Sequence, residues 1–161
     1  MNFATNENVP PISYGLYALI RTCVPKGSCL LELGSGDGST IDLKNDYDLY
    51  SVEHNSYYVG KYNEASKYIL ASMKDGFYDL ENVQLPDYSA VLMDGPDTDN
   101  RTEKLLENLQ YFNPKVHWFF DDLRHARIGS GIKAIAEKTG RTLLRFEMEP
   151  KWFAVLLGEG K

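Results

Sequence analysis

Hydrophobic positions along this chain switch repeatedly between helical spacing and short unbroken runs. From Ile12 to Cys23, Tyr14, Leu16, Tyr17, Leu19 and Ile20 fall at mixed helical spacing, and Pro25-Lys26-Gly27 ends the segment. A leading helix is predicted there. Cys29 to Leu33 is a short apolar run stopped by Gly34, the pattern of a central parallel strand buried on both faces. A tight turn follows, then a short helix from Ser39 to Leu43, and a second strand from Asp48 to Val52 that ends at Glu53. Asn55 can cap a helix running through Tyr58, Tyr62 and Ala65, with a third strand over Tyr68 to Ala71. Ser89 to Met93 reads as the fourth strand, Thr102 to Phe112 as a helix, Val116 to Phe120 as the fifth strand and Ala126 to Lys138 as a helix stopped at Gly140. Thr142 to Met148 and Trp152 to Leu157 are two further strands. The few residues Glu149-Pro150-Lys151 between them force an antiparallel pairing, because a parallel crossover needs a dozen or more.

The order is that of βαβ units: an α/β fold with a mostly parallel sheet that closes in an antiparallel hairpin. No repeat, low-complexity tract or long linker interrupts it, so 161 residues are expected to form one domain over 1–161. A formal net charge of −6 argues against the clustered Lys and Arg that phosphate backbones require, so nucleic acid is not expected as a partner. No apolar run approaches a membrane span and no secretory start is visible, which gives a cytoplasmic expectation. Cys23 and Cys29 each sit beside apolar residues and read as buried thiols without chemistry.

The chemistry gathers where strands end. Glu32-Leu33-Gly34-Ser35-Gly36-Asp37-Gly38 supplies glycines where backbone must turn sharply and a ligand must approach without a Cβ in the way. A nicotinamide fingerprint is incomplete, since Ser39 stands at the last glycine position. Glu53 follows about 20 residues beyond the turn, where a carboxylate can accept both hydroxyls of a ribose. Asp94 ends the fourth strand and Asp121 and Asp122 end the fifth. Adjacent strands lie about 4.8 Å apart, so these acids converge on one rim and call for a balancing positive charge. Asp122 as a helix cap and Asp121 as a solvated strand-end residue are the plainer alternative.

Cys29 to Thr40 resembles the first motif of class I S-adenosylmethionine-dependent methyltransferases, and Tyr50-Ser51-Val52-Glu53-His54 resembles their second strand with its ribose-binding acid. The Asp94-Gly95-Pro96 strand end and the terminal hairpin are similar as well. The resemblance implies a Rossmann-like, doubly wound, seven-stranded sheet of order 3-2-1-4-5-7-6 with the inserted last strand antiparallel. It also implies S-adenosylmethionine as cofactor, with Glu32, Gly34, Ser35 and Gly36 along its methionine part, Ser39 or Thr40 at its carboxylate, Glu53 at the ribose, and His54 and Asp94 nearby. Ser72 and Asp75 are candidates beside the adenine.

The stretch Asp121-Asp122-Leu123-Arg124-His125, continuing to Lys133-Ala134-Ile135, is similar to metal-dependent O-methyltransferases of the macrocin and catechol types. That resemblance implies Mg²⁺ or another divalent cation on Asp94, Asp121 and Asp122, with His125 and Asp94 as catalytic candidates. The catechol enzymes carry a Lys where Asp97 stands here. The expected activity is methyl transfer to an oxygen of a small hydroxylated or saccharide acceptor, covered by the leading helix and loops or by a second subunit of a homo-oligomer. A noncatalytic cofactor-binding domain is the alternative, as is an N-methyltransferase, which the Asp94-Gly95-Pro96-Asp97 sequence disfavours because it is not Asn-Pro-Pro-Tyr or Asp-Pro-Pro-Tyr. His54 and His117 rank below His125, His54 as a residue that packs after the ribose acid and His117 as one within a strand; Arg101 or Arg124 can bind an acidic substrate, with exposed helix the plainer reading.

Overall fold

The computed structural model describes residues 14–124, 126–148 and 151–158. Four helices, α1 (Tyr14–Cys23), α2 (Ser39–Leu43), α3 (Arg101–Glu107) and α4 (Ala126–Thr139), alternate with strands β1 (Cys29–Leu33), β2 (Asp48–Glu53), β3 (Tyr68–Leu70), β6 (Ala90–Met93), β7 (His117–Phe120), β8 (Leu143–Met148) and β9 (Lys151–Leu156). A small separate hairpin, β4 (Met73–Lys74) and β5 (Phe77–Tyr78), lies between β3 and β6. The main sheet runs β3-β2-β1-β6-β7-β9-β8, which is the expected 3-2-1-4-5-7-6 once the hairpin is set aside. All neighbours are parallel except β9, which is antiparallel to both β7 and β8.

Period-two alternation divides the buried side chains between two layers. On one face, Leu31 and Leu33 of β1, Val91 of β6, Trp118 and Phe120 of β7 and Ala154 of β9 pack with Leu105 of α3, Ile128, Ile132 and Ile135 of α4 and Phe77 of β5. On the other, Leu30, Leu92, Phe119, Phe153 and Val155 pack with Leu16 and Ile20 of α1 and Leu43 of α2. Glu32 shares the second face with Leu30, and is fully buried.

Two expectations are corrected. The helix predicted through Tyr58, Tyr62 and Ala65 is two 3₁₀ turns, Ser56–Tyr58 and Ala65–Lys67, separated by Gly60 at φ 78°, a left-handed conformation that ends a helix. Asn55 still caps the first, its side chain accepting from the Tyr57 N–H at 3.0 Å. The helix predicted to Phe112 stops at Glu107 and finishes as a 3₁₀ turn, Leu109–Tyr111. Cys23 and Cys29 are free and partly buried. Among the described residues, no helix is long and apolar enough to cross a membrane.

Candidate functional site

A cavity of about 340 Å³ opens at the carboxyl ends of β1, β2 and β6. Its walls are the turn Gly34-Ser35-Gly36, the segment Glu53-His54-Asn55 with Tyr58, the β6 end Asp94-Gly95-Pro96-Asp97, and Tyr78. Gly34 takes φ 86°, and a Cβ there would lie 2.8 Å from Gly95 Cα, so both the dihedral and the neighbour exclude a side chain. At Gly36 the nearest atom a Cβ would meet beyond its chain neighbours is Gly38 N at 3.8 Å, so packing within the chain does not explain this glycine. The space beside it is left clear.

Glu53 is buried at the end of β2 and held from two sides. The Ser35 N–H and hydroxyl donate to its Oε2 at 3.2 Å each, and the His54 and Asn55 N–H groups donate to Oε1 at 2.8 and 2.9 Å. His54 Nδ1 lies 3.1 Å from the same oxygen. These donors fix the plane of the carboxylate at the cavity wall.

Glu32, Ser39 and Thr40 do not line the cavity. They form a buried knot behind the turn, where Glu32 accepts from the Ser39 hydroxyl, from Thr40 Oγ1 at 2.8 Å and from Ser51 Oγ at 2.9 Å. Thr40 Oγ1 in turn accepts from the Gly36 N–H at 2.9 Å, so the acid holds the glycine turn through one hydroxyl. Both hydroxyls expected at a ligand carboxylate are therefore turned inward. Burial pushes Glu32 up to about 7, the three hydroxyl donors opposing the shift without cancelling it. Ser39 Oγ also lies 3.1 Å from Asp94 Oδ2, and burial followed by repulsion from Asp121 and Asp122 raises Asp94 to about 6. Tyr78, buried beside the cavity, is raised well above the ordinary phenol range, chiefly by burial and then by Glu53. Ser72 is exposed outside the cavity, and Asp75 sits at the turn of the β4–β5 hairpin with φ 53°.

The three strand-end acids do converge: one carboxylate oxygen from each of Asp94, Asp121 and Asp122 lies within 4.8 Å of the others. The positive charge they call for is supplied by the chain. Lys151 Nζ stands 3.0 Å from Asp121 Oδ2 and 3.5 Å from Asp122 Oδ1. Arg101, expected on an exposed helix face, is buried instead, donating to the backbone oxygens of Asp94 and Asp121 at 3.1 Å each and lying 3.6 Å from Asp122 Oδ2. The remaining oxygen of Asp121, Oδ1, accepts from the Asp122 N–H at 2.9 Å. Both oxygens of Asp121 and both of Asp122 thus already face a cation or an N–H, and this arrangement does not fit the expected divalent ion. Asp121 is shifted upward because its burial outweighs the attraction of Lys151. Burial alone would pull Lys151 down, but Asp121, Asp122 and Asp94 together carry it upward and keep it charged. His125 lies outside the described residues. His117 sits at the start of β7, where its Nδ1 accepts from the Gly158 N–H at 3.0 Å.

Lys151, Tyr78 and Tyr58 were not anticipated. For Lys151 the signal lay in register: β9 is antiparallel to β7, so its first residue must arrive where β7 ends.

No protein-family model and no curated protein matches the sequence. Solved structures do match. The chain is similar to a methyltransferase from Pyrococcus furiosus at 17% identity and TM-score 0.63, covering 95% of this chain and 84% of that one. It is similar to Aeropyrum pernix fibrillarin with natively bound S-adenosyl-L-methionine at 11% identity and TM-score 0.60, covering 89% and 73%. A third likeness is to the E. cuniculi Mtq2–Trm112 complex, which methylates the eRF1 translation termination factor, at 15% identity and TM-score 0.56, covering 92% and 94%. These likenesses establish the fold.

Proposed function

We propose that this chain is an S-adenosylmethionine-dependent methyltransferase whose cofactor lies in the cavity between the Gly34–Gly36 turn and Glu53, and whose acceptor is an oxygen of a small hydroxylated molecule such as a saccharide. The observation that carries the reading is Glu53: a buried carboxylate at the end of β2, fixed in plane by backbone donors and facing a glycine turn with open space beside it. A ribose diol would take the place of the Ser35 hydroxyl on Oε2. The residues fit the cofactor. Gly36 leaves room for its chain, and Asp94 offers a carboxylate to its amino group. Glu32, Ser39 and Thr40 act as positioning residues that hold the turn from behind.

When bound, the cofactor supplies an electrophilic methyl group on its sulfonium. What this chain contributes is alignment, since acceptor oxygen, methyl carbon and sulfur must lie in line. The matched folds serve acceptors as different as a protein factor, so the fold does not choose the acceptor. The local chemistry favours hydroxyl groups. Beyond Asp94 the rim presents Asp97, half-exposed Asp122 and part-exposed Lys151, hydrogen-bonding groups suited to a sugar, and the net charge of −6 repels a phosphate backbone.

Titration calorimetry tests the cofactor. S-adenosylhomocysteine should bind, and Glu53→Ala should weaken it by roughly 1 to 3 kcal/mol through loss of hydrogen bonds to a charged acceptor. Binding of NAD without S-adenosylhomocysteine would overturn the reading. Transfer of labelled methyl to a saccharide panel tests the acceptor, and binding without transfer to any hydroxyl would make the chain a cofactor-binding module.

A further inference from the structure

We infer that the acidic rim carries its own cation: the Lys151 ammonium, backed by the Arg101 guanidinium, occupies the place between Asp121 and Asp122 that a divalent metal would take, and the site is complete without one. This stands on geometry at the rim and is independent of the acceptor proposed above.

A hard divalent cation needs several oxygens free to turn toward it at once. At Asp122, Oδ1 faces Lys151 at 3.5 Å and Oδ2 faces Arg101 at 3.6 Å; at Asp121, Oδ2 faces Lys151 at 3.0 Å. To bind there, a metal would have to expel the ammonium and leave two positive charges side by side near the guanidinium. Arg101 cannot make way easily, because its two terminal nitrogens are spent on the backbone oxygens that end β6 and β7. The backbone that carries Lys151 is held in place as well. It is the first residue of β9, and the next residue, Trp152, accepts from the Leu123 N–H at 3.0 Å, which ties the start of the strand to the loop that carries Asp121 and Asp122. The antiparallel direction of β9 is what brings a lysine at the head of the last strand to the carboxyl end of the sheet. Two cations against three carboxylates leave one formal negative charge, and Asp94 is the member of the trio that lines the cavity.

Mn²⁺ binding to the full chain, followed by the electron paramagnetic resonance signal of free Mn²⁺, tests this. In the wild-type chain, Asp121→Asn should leave the Mn²⁺ isotherm unchanged, because no site depends on that carboxylate. Lys151→Met, which keeps the aliphatic stem and removes the charge, should gain a site at least about tenfold tighter than any in the wild type, and Asp121→Asn in that background should abolish it. Lys151→Arg should behave as the wild type. A wild-type Mn²⁺ site that disappears in Asp121→Asn overturns the inference. So does a folded Lys151→Met chain that gains none. These readouts do not require methyl transfer, so a failed acceptor screen leaves them standing.

Discussion

A single hydroxyl, that of Ser39, stands between two carboxyl groups: it contacts Glu32 and lies 3.1 Å from Asp94. One hydrogen cannot be donated to both, so for both contacts to be hydrogen bonds one carboxyl must hold a proton. The upward shifts of Glu32, to about 7, and of Asp94, to about 6, agree with that. Both are acids whose folded value exceeds the ordinary one, so the native state binds the proton more tightly than the unfolded chain. The stabilisation is complete below the unfolded value, 4.5 for Glu32, and is lost as pH rises through about 7. Urea unfolding of the wild type against Glu32→Gln should show the wild type losing ground between pH 5 and 8, by on the order of 2 to 3 kcal/mol. Parallel pH curves for the two chains would sink this. The sequence exposed Glu32 as an acid beside the glycines, and the resemblance set it along the ligand. Period-two alternation put it on the face of Leu30, toward α2, where serine and threonine hydroxyls rather than solvent meet it.

At the scale of elements, the misreadings have local causes. Lys74-Asp75-Gly76-Phe77 carries an Asp-Gly pair, the signal for a two-residue hairpin, and Asp75 and Gly76 both take positive φ, 53° and 85°. Its flanking strands are only two residues each, too short for the alternation that marks a strand in the sequence. The missing helix after Asn55 reflects aromatic residues whose spacing imitates a helical face; Tyr57, Tyr58 and Tyr62 instead gather around Lys61, whose Nζ lies 4.5 to 5.3 Å from their ring centroids. Helices α3 and α4 pack closely at Gly131 and Thr102. A Cβ at Gly131 would lie 2.2 Å from Thr102 Oγ1 and 3.2 Å from the Thr102 backbone carbon. Gly131→Ala should therefore destabilise the chain by about 1 to 3 kcal/mol, despite alanine's better helix propensity. An unchanged or raised thermal midpoint would show that the two helices separate more freely than this contact implies.

For the whole molecule, the layered α/β fold and its strand order were legible because strand and helix periods alternate so regularly, and the cavity was legible because such sheets gather ligands at their carboxyl ends. What stayed hidden was long-range: Lys151 and Arg101 reach the rim from elements remote in sequence, and no local pattern announces them. A ligand that binds only the folded chain must stabilise all of it. S-adenosylhomocysteine at about 100 times its Kd should add about 2.7 kcal/mol, raising the thermal midpoint by roughly 5 to 10 °C. Glu53→Ala should show a smaller rise at the same concentration, and NAD none; equal rises in both chains would remove Glu53 from the binding site.

The contact between Gly34 and Gly95 also bears on how this cavity can change by substitution. A Cβ built on either one comes within 2.8 Å of the other's Cα, so each residue is confined to glycine by the backbone of its partner, and Gly95 by the Tyr78 hydroxyl at 2.8 Å as well. No compensating replacement exists, since the partner has nothing left to trim. Descendants of this chain could redesign every side chain around the cavity one step at a time, but this seam between the ends of β1 and β6 could be altered only by moving the strands themselves.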